Sequence, residues 1–185
     1  MMRSNIVVCA ISLLFASVLR WGHAQGENAG GTQAGKADKE CAAVSNHNAE
    51  LMLAIFRAIE QRDAQRLREL FDPELEMHWP PSLPYGGTHT ASTPGPTTWS
   101  QTWAPLQPTD AERRMDPRVV AAAGDEVVVL WQQRGVAPAG KRFDGEVLAL
   151  YRLRNDKLIR AQMFYFDTVA TARFLADAQM QAKKK

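Results

Sequence analysis

The hydrophobic and polar positions along the chain first follow the period of a helix. From Ser45 onward, apolar residues such as Leu51 and Ile55 recur three and four positions apart among charged residues, which predicts a long amphipathic helix. Asp63 is placed to cap a second, shorter helix, and Pro73 ends it. The folded part of the chain is therefore predicted to begin with two helices.

Beyond these helices the period becomes two, which is typical of β-strands. Leu75, Met77 and Trp79 alternate with polar residues and predict a first strand that a Pro-Pro pair ends. The last third of the chain predicts four more strands, over residues 118–122, 127–134, 146–154 and 157–166, with a hairpin turn at Asn155 and Asp156. This order predicts an α+β fold whose curved antiparallel sheet wraps the long N-terminal helix.

The first 24 residues have the plan of a signal peptide. Arg3 precedes an uncharged apolar run over residues 6–19, and small residues stand at the positions that signal peptidase reads before a cut after Ala24. The run is shorter than the roughly 20 apolar residues that cross a bilayer. We therefore predict an exported protein, periplasmic or extracellular, with no stable membrane insertion after cleavage. An uncleaved membrane anchor is the alternative.

Removal of the leader changes the charge and the cysteine count. The formal net charge falls from +2 to zero because Arg3 and Arg20 are lost, and nothing then favours a nucleic-acid partner. Cys41 is left as a single cysteine, which predicts no internal disulfide. Residues 25–44 are predicted as a disordered tether, residues 45–178 as the folded domain and residues 179–185 as a basic tail.

Three segments together resemble the SnoaL-like branch of the nuclear transport factor 2-like superfamily. They are residues 79–88 (WPPSLPYGGT), 140–146 (GKRFDGE) and 164–168 (FYFDT). The resemblance implies a cone-shaped barrel, open at one end, with an apolar pocket between the sheet and the helices. It also implies a small apolar ligand of polyketide- or steroid-like kind, no cofactor, and a homodimer formed through the sheet.

Two residues are candidates for acid–base chemistry. Alternation along the last strand predicts an uncharged inner face that begins at Ile159 and ends at Asp167, where an apolar wall would raise the pKa of the carboxyl. The resemblance implies the same role, since SnoaL-like cyclases carry their acid at this strand end. The alternatives are that Asp167 only caps the closing helix, which begins near Thr168, or that it forms a salt bridge. His78 is the second candidate if a bulge turns it inward, and a surface histidine is the alternative.

Aromatic residues are the candidate ligand contacts, because rings around a cavity bind flat apolar molecules. Some flank a turn rich in proline and glycine, some lie in a short helix predicted over residues 96–104, and three alternate onto the predicted inner face of the last two strands. Trp131 lies in the predicted strand over residues 127–134. Ordinary core packing is the alternative for each. The candidates are Trp79, Tyr85, Trp99, Trp103, Trp131, Tyr151, Met163 and Tyr165.

Two classes of function stay open at this point. The first is an exported SnoaL-like domain that binds a small apolar molecule and catalyses proton transfer, as in isomerisation or cyclisation, through Asp167. The second is a non-catalytic binding module or a dimeric assembly module. Because the sequence has no HExxH motif and no Cys/His cluster, we predict no metal site.

Overall fold

A computed structural model describes residues 31–90 and 105–184. Six strands form a single sheet in the order β2-β1-β6-β5-β4-β3, with helices before and after the meander, so the predicted α+β class is confirmed. None of the helices in these two ranges is long and apolar enough to cross a membrane. The elements are α1 (Gly31–Gln61), α2 (Ala64–Leu70), β1 (Phe71–Trp79), β2 (Gly87–Thr90), α3 (Asp110–Arg113), β3 (Arg118–Ala123), β4 (Glu126–Val136), β5 (Arg142–Arg154), β6 (Lys157–Tyr165) and α4 (Thr168–Ala182).

One pairing in the sheet departs from the predicted antiparallel arrangement. β1 lies parallel to β6, whereas the other four neighbouring pairs are antiparallel. Parallel neighbours need a long crossover connection, and the chain between β1 and β6 supplies one that includes the whole β3–β5 meander. The sequence pattern shows where a strand lies but not which way its neighbour runs.

Helix α1 covers one face of the sheet, which we call the inner face. Met52, Ile55 and Phe56 are fully buried and share one side of the helix. Along β5, Val147, Ala149 and the alternate residues that follow them are buried as well, so the inner face predicted for this strand is confirmed. The core therefore lies between the helix and the sheet.

The long helix begins earlier than the sequence pattern indicates. It extends back to Gly31, into the segment predicted as a tether, and residues 36–44 are exposed apart from the half-buried Cys41. Alanine, lysine and glutamate are good helix formers and extend a helix that packing has already nucleated, without leaving an apolar signal. Likewise α4 continues to Ala182, so part of the predicted basic tail is helical.

Cys41 is disulfide-bonded in this structure. The one other cysteine of the sequence, Cys9, lies outside the described residues. The lone thiol was predicted for the chain after removal of the leader, and for that chain it stays a prediction.

The inner face of β6 begins one residue away from its predicted position. Leu158 is buried and Ile159 is only half-buried, whereas Ala161 and Met163 face the core as predicted. The register between β5 and β6 shifts after Arg152, which marks a β-bulge. The placement of Ile159 on the inner face is therefore wrong, because a bulge inverts the alternation without leaving a trace in the sequence period.

Candidate functional site

The candidate site is the inner face of the sheet, where large rings surround small residues. Val147 and Ala149 lie at its centre and are completely buried. Among the described residues predicted to contact a ligand, all but one are buried here, and Tyr165 is half-buried. The structure thus brings together Trp79, Tyr85, Trp131, Tyr151, Met163 and Tyr165. Trp99 and Trp103 lie outside the described residues.

Helix α1 closes this face with one aromatic residue. The ring of Phe56 lies 6.1 Å from the ring of Trp131 and 5.9 Å from that of Tyr151, and it meets the tyrosine edge to face. Such contacts stabilise aromatic pairs by about 0.5–1.5 kcal/mol beyond the area they bury. Phe56 therefore fixes the position of two candidate ligand contacts on different strands.

A tight turn after β1 places the second group of rings. The amide of Gly86 donates to the oxygen of Leu83 at 2.8 Å, and a Cβ at Gly86 would lie 2.2 Å from the Pro80 oxygen, so no larger residue fits. The turn brings Tyr85 against Trp79, with ring centres 6.2 Å apart. His89 on β2 donates from Nε2 to the backbone oxygen of Tyr85 at 3.0 Å and holds the turn against the sheet.

The tyrosines of this site are held in their neutral form. The Tyr85 hydroxyl donates to the Tyr165 hydroxyl at 3.0 Å, and burial raises the pKa of Tyr85 to about 12. Burial, and secondly the neighbouring Tyr85, raise the pKa of Tyr165 well above its usual value. Burial also raises the pKa of Tyr151. Their hydroxyls are therefore protonated hydrogen-bond donors through the neutral range.

Gln133 is the residue of the site that the sequence analysis missed. It lies on β4 at 0% exposure, and neither its amide oxygen nor its amide nitrogen has a hydrogen-bond partner among the described residues. The Nε1 atom of Trp131 points toward the Tyr151 hydroxyl but does not reach hydrogen-bond geometry. The alternation that places Trp131 inward also places Gln133 inward, so the signal was present in the sequence.

Asp167 does not face this interior. Its side chain is exposed, and Oδ1 accepts from the backbone amide of Ala170 at 2.7 Å, which makes it the N-cap of α4. This is the capping alternative given above. The physical reason is local: β6 ends at Tyr165, and the chain turns into the helix before Asp167 can continue the apolar face.

His78 lies on the outer face of the sheet, as the surface alternative has it. Its ring is held between two side chains, with Nε2 at 3.1 Å from the Glu76 carboxylate and Nδ1 at 3.0 Å from the Thr88 hydroxyl. The inward bulge that a catalytic role requires is not seen, because Met77 and Trp79 on either side of His78 keep the regular alternation. The structure therefore separates His78 from the aromatic interior.

No other carboxylate takes the place of Asp167 within the described ranges. Glu112 is buried, but its carboxylate accepts hydrogen bonds from Thr109 and from Arg142, and the Thr109 bond lowers the pKa of this group. It ties the loop before β3 to β5 rather than lining the inner face. Residues 31–90 and 105–184 also contain no group of three His, Cys, Asp or Glu side chains arranged to hold a metal ion.

Comparison with known proteins gives one family and several structures. The family of SnoaL-like domains matches residues 52–161. No curated protein sequence matches the chain. TerC co-crystallised with polyporic acid is 21% identical, with a TM-score of 0.57 over 70% of this chain and 98% of that one. At such identities the likeness concerns the fold.

Two further structures have the same fold. An NTF2-like protein of unknown function from Burkholderia pseudomallei is 20% identical, with a TM-score of 0.56 over 69% of this chain and 96% of that one. IdmH from Streptomyces antibioticus, a candidate polyketide cyclase, is 20% identical, with a TM-score of 0.52 over 70% and 98% of the two chains. The alignment covers nearly the whole length of each of these two proteins.

Proposed function

Because the chain belongs to the SnoaL-like domain family of the nuclear transport factor 2-like superfamily, we propose that its inner face binds a small apolar molecule bearing a hydrogen-bonding oxygen. Gln133 carries the proposal. A buried amide without partners costs about 1–3 kcal/mol, and a ligand that pairs with it recovers that cost. The surrounding rings favour a flat apolar body.

The hydrogen-bond donors of the inner face indicate the kind of molecule. The Tyr85 hydroxyl already donates to Tyr165, so the donors left for a ligand are the hydroxyls of Tyr151 and Tyr165, the indole Nε1 of Trp131 and the amide of Gln133. They suit a carbonyl oxygen on an otherwise apolar ligand. Polyketide- and steroid-like molecules have this combination. TerC, crystallised with polyporic acid, and IdmH, a candidate polyketide cyclase, share the fold and support the polyketide choice.

Binding is better supported than proton transfer by a carboxylate. Neutral donors polarise a bound carbonyl, but a proton abstracted from the ligand needs a base. Asp167 serves α4 as its cap, and Glu112 is engaged by Arg142. Cyclisation or isomerisation through Asp167 would require the start of α4 to unwind, so the proposed function is that of a small-molecule-binding domain.

The experiment compares two neighbouring glutamines. Protein is purified from its native host as wild type, Gln133→Met and Gln132→Met, and co-purifying molecules are identified by mass spectrometry. We expect an apolar, carbonyl-bearing molecule with the wild type, and about tenfold less of it with Gln133→Met because a buried polar contact is lost. Gln132 faces outward toward Glu146 at 3.3 Å, so its variant serves as the control.

Stability provides a second measurement on the same proteins. Methionine fills the Gln133 position without an unpaired amide, so the variant should be more stable than the ligand-free wild type, by about 1 kcal/mol in urea unfolding. Equal recovery of the molecule from wild type and Gln133→Met, or no co-purifying apolar molecule at all, would contradict the proposed function.

A second candidate function, assembly through the sheet, is favoured by one surface. Phe164 in β6, Phe166 just after the end of that strand and Val169 in the first turn of α4 are 51%, 68% and 56% exposed. Large apolar residues clustered at one place on a surface mark interaction sites. We propose that a second copy of the chain covers them. Analytical ultracentrifugation should then show a dimer that Phe164→Ser weakens, and a wild-type monomer at high concentration would exclude it.

A further inference from the structure

The pairing of β1 with β6 shifts its register near its start. Between the partners Phe71 and Leu158 and the partners Glu76 and Arg160, β1 has residues 72–75 whereas β6 has only Ile159. The extra residues of β1 have no register partner on β6, which is the pattern of a β-bulge. A groove of about 670 Å³ lies at this place, with Ile159 and Pro73 as its apolar lining. Its size is within the range of small-molecule sites.

Charged residues border the groove in register. Glu76, Arg160 and Arg152 occupy one row across three neighbouring strands, and Thr90 continues the row on β2. Arg152 and Arg160 lie directly opposite each other on adjacent antiparallel strands. Like charges in this relation destabilise a sheet, and an anion between them would remove the repulsion.

Most of these charges already have partners. Arg154 lies 3.1 Å from the Glu74 carboxylate, Arg152 lies 3.1 Å from the Asp125 carboxylate, and Glu76 turns away to His78. Arg160 is exposed and forms no ion pair among the described residues, although Glu76 is its register partner. The groove therefore offers one uncommitted guanidinium beside an apolar floor.

We propose that this groove binds an amphipathic monocarboxylate, a site separate from the inner face. The planar guanidinium of Arg160 matches a carboxylate in a bidentate pair. Ile159 and Pro73 contact the hydrocarbon part of the ligand. Because Arg152 and Arg154 are already paired with carboxylates, Arg160 is the one arginine of the lining without an ion pair among the described residues, which matches a ligand with a single negative charge.

The test uses hexanoate as the probe. Isotope-labelled protein is titrated with sodium hexanoate, with hexan-1-ol and with inorganic phosphate, and backbone amide shifts are followed by NMR. Hexanoate should shift the amides of Ile159, Arg160 and Thr90 saturably. Hexan-1-ol tests whether the apolar floor alone suffices, and phosphate tests whether any anion suffices. Both should bind at least tenfold more weakly than hexanoate.

Three variants assign the charge contacts. Arg160→Gln should weaken hexanoate about tenfold or more because a charged hydrogen bond is lost. Glu76→Gln should strengthen it about threefold because a repelling carboxylate is removed. Arg118→Gln, at an exposed arginine on β3 outside the groove, is the control and should change nothing. All three positions are exposed, so circular dichroism should show folded proteins.

Several results would overturn the proposal. They are unchanged hexanoate affinity in Arg160→Gln, tighter binding of phosphate than of hexanoate, and equal binding of the alcohol. Shifts confined to Gln133 and Tyr151 would also overturn it, since they would place hexanoate on the inner face. Of these results only the last concerns the inner face, and it would support binding there. The groove proposal can therefore fail while the co-purification test of Gln133 succeeds, and the reverse is also possible.

Discussion

At the scale of single residues, Asp167 illustrates how one carboxylate can be assigned by its hydrogen bond. Because Oδ1 accepts from the Ala170 amide at 2.7 Å, Asp167→Ala should lower the free energy of unfolding by about 1 kcal/mol, and Asp167→Asn by only a few tenths. Urea unfolding measures both. If alanine and asparagine cost the same in stability and both abolish recovery of the co-purifying molecule, the capping role is insufficient and Asp167 acts on the ligand.

The three tyrosines make a second prediction at this scale. They are all the tyrosines of the sequence, all have a raised pKa, and that of Tyr85 rises from 10.0 to about 12. The unfolded chain loses its phenol protons first, so the free energy of unfolding falls as the pH rises from about 10 to 12. Ultraviolet titration should show no phenolate in the folded protein near pH 10, where the urea-unfolded chain is half ionised. Phenolate in the folded protein at that pH would contradict the buried hydroxyls.

Residue patterns predicted part of the site and could have predicted more. Alternation placed Tyr151 and Met163 inward. The same rule applied to the strand that contains Trp131 would have placed Gln133 beside them as a buried polar residue. The lack of partners for Gln133 depends on what neighbouring strands bring near it, which no local pattern contains. For Asp167 the sequence left capping and acid–base chemistry open, because both suit a carboxylate at the end of a strand.

At the scale of elements, residues 36–44 of α1 are helical with little packing. Residues 36–44 are exposed apart from Cys41, so a chain that begins at Glu40 should differ by less than about 0.5 kcal/mol in urea unfolding from one that begins at Gln25. A larger loss would show that this segment is docked on the domain.

A longer truncation is the control. A chain that begins at Glu50 loses Asn48, whose side-chain amide donates to the Gly124 oxygen at 2.8 Å, and Ser45, whose hydroxyl accepts from the Gly124 amide at 3.0 Å. It should be destabilised by more than about 1 kcal/mol, since these bonds hold α1 to the turn between β3 and β4.

Strand positions were predicted well, and strand neighbours were not. The hairpin turn was predicted at Asn155 and Asp156 because these residue types accept a positive φ. In the structure their φ angles are 51° and 60°. The short β2 and the parallel contact of β1 depend on distant partners. The bulge at Ile159 depends on the register between β5 and β6. Counting alternate residues across the bulge assigns the residues on one side of it to the wrong face of the sheet.

At the scale of the whole molecule, the signal peptide and the export of the protein remain predictions from the sequence. Its charge, apolar run and small residues before the cut indicate cleavage after Ala24. Protein recovered from the native host should begin at Gln25 and lie outside the cytoplasm, as intact-mass measurement on cell fractions would show. A cytoplasmic species that keeps Met1 would contradict export and would leave both binding proposals untouched.

The contact between β1 and β6 also sets the order in which the chain can fold. Phe71 and Leu158 are paired although the whole meander lies between them in sequence, whereas β3 to β6 join through short turns. Closing so long a loop costs chain entropy before the contact between β1 and β6 can offset that cost. We therefore expect the β3–β6 meander to form first and β1 to pair with β6 last. During synthesis, α1, α2 and β1 leave the ribosome early. Strand β1 then has no β6 to pair with until the end of the chain has been made. Substitutions in β1 should therefore alter the unfolding rate more than the folding rate.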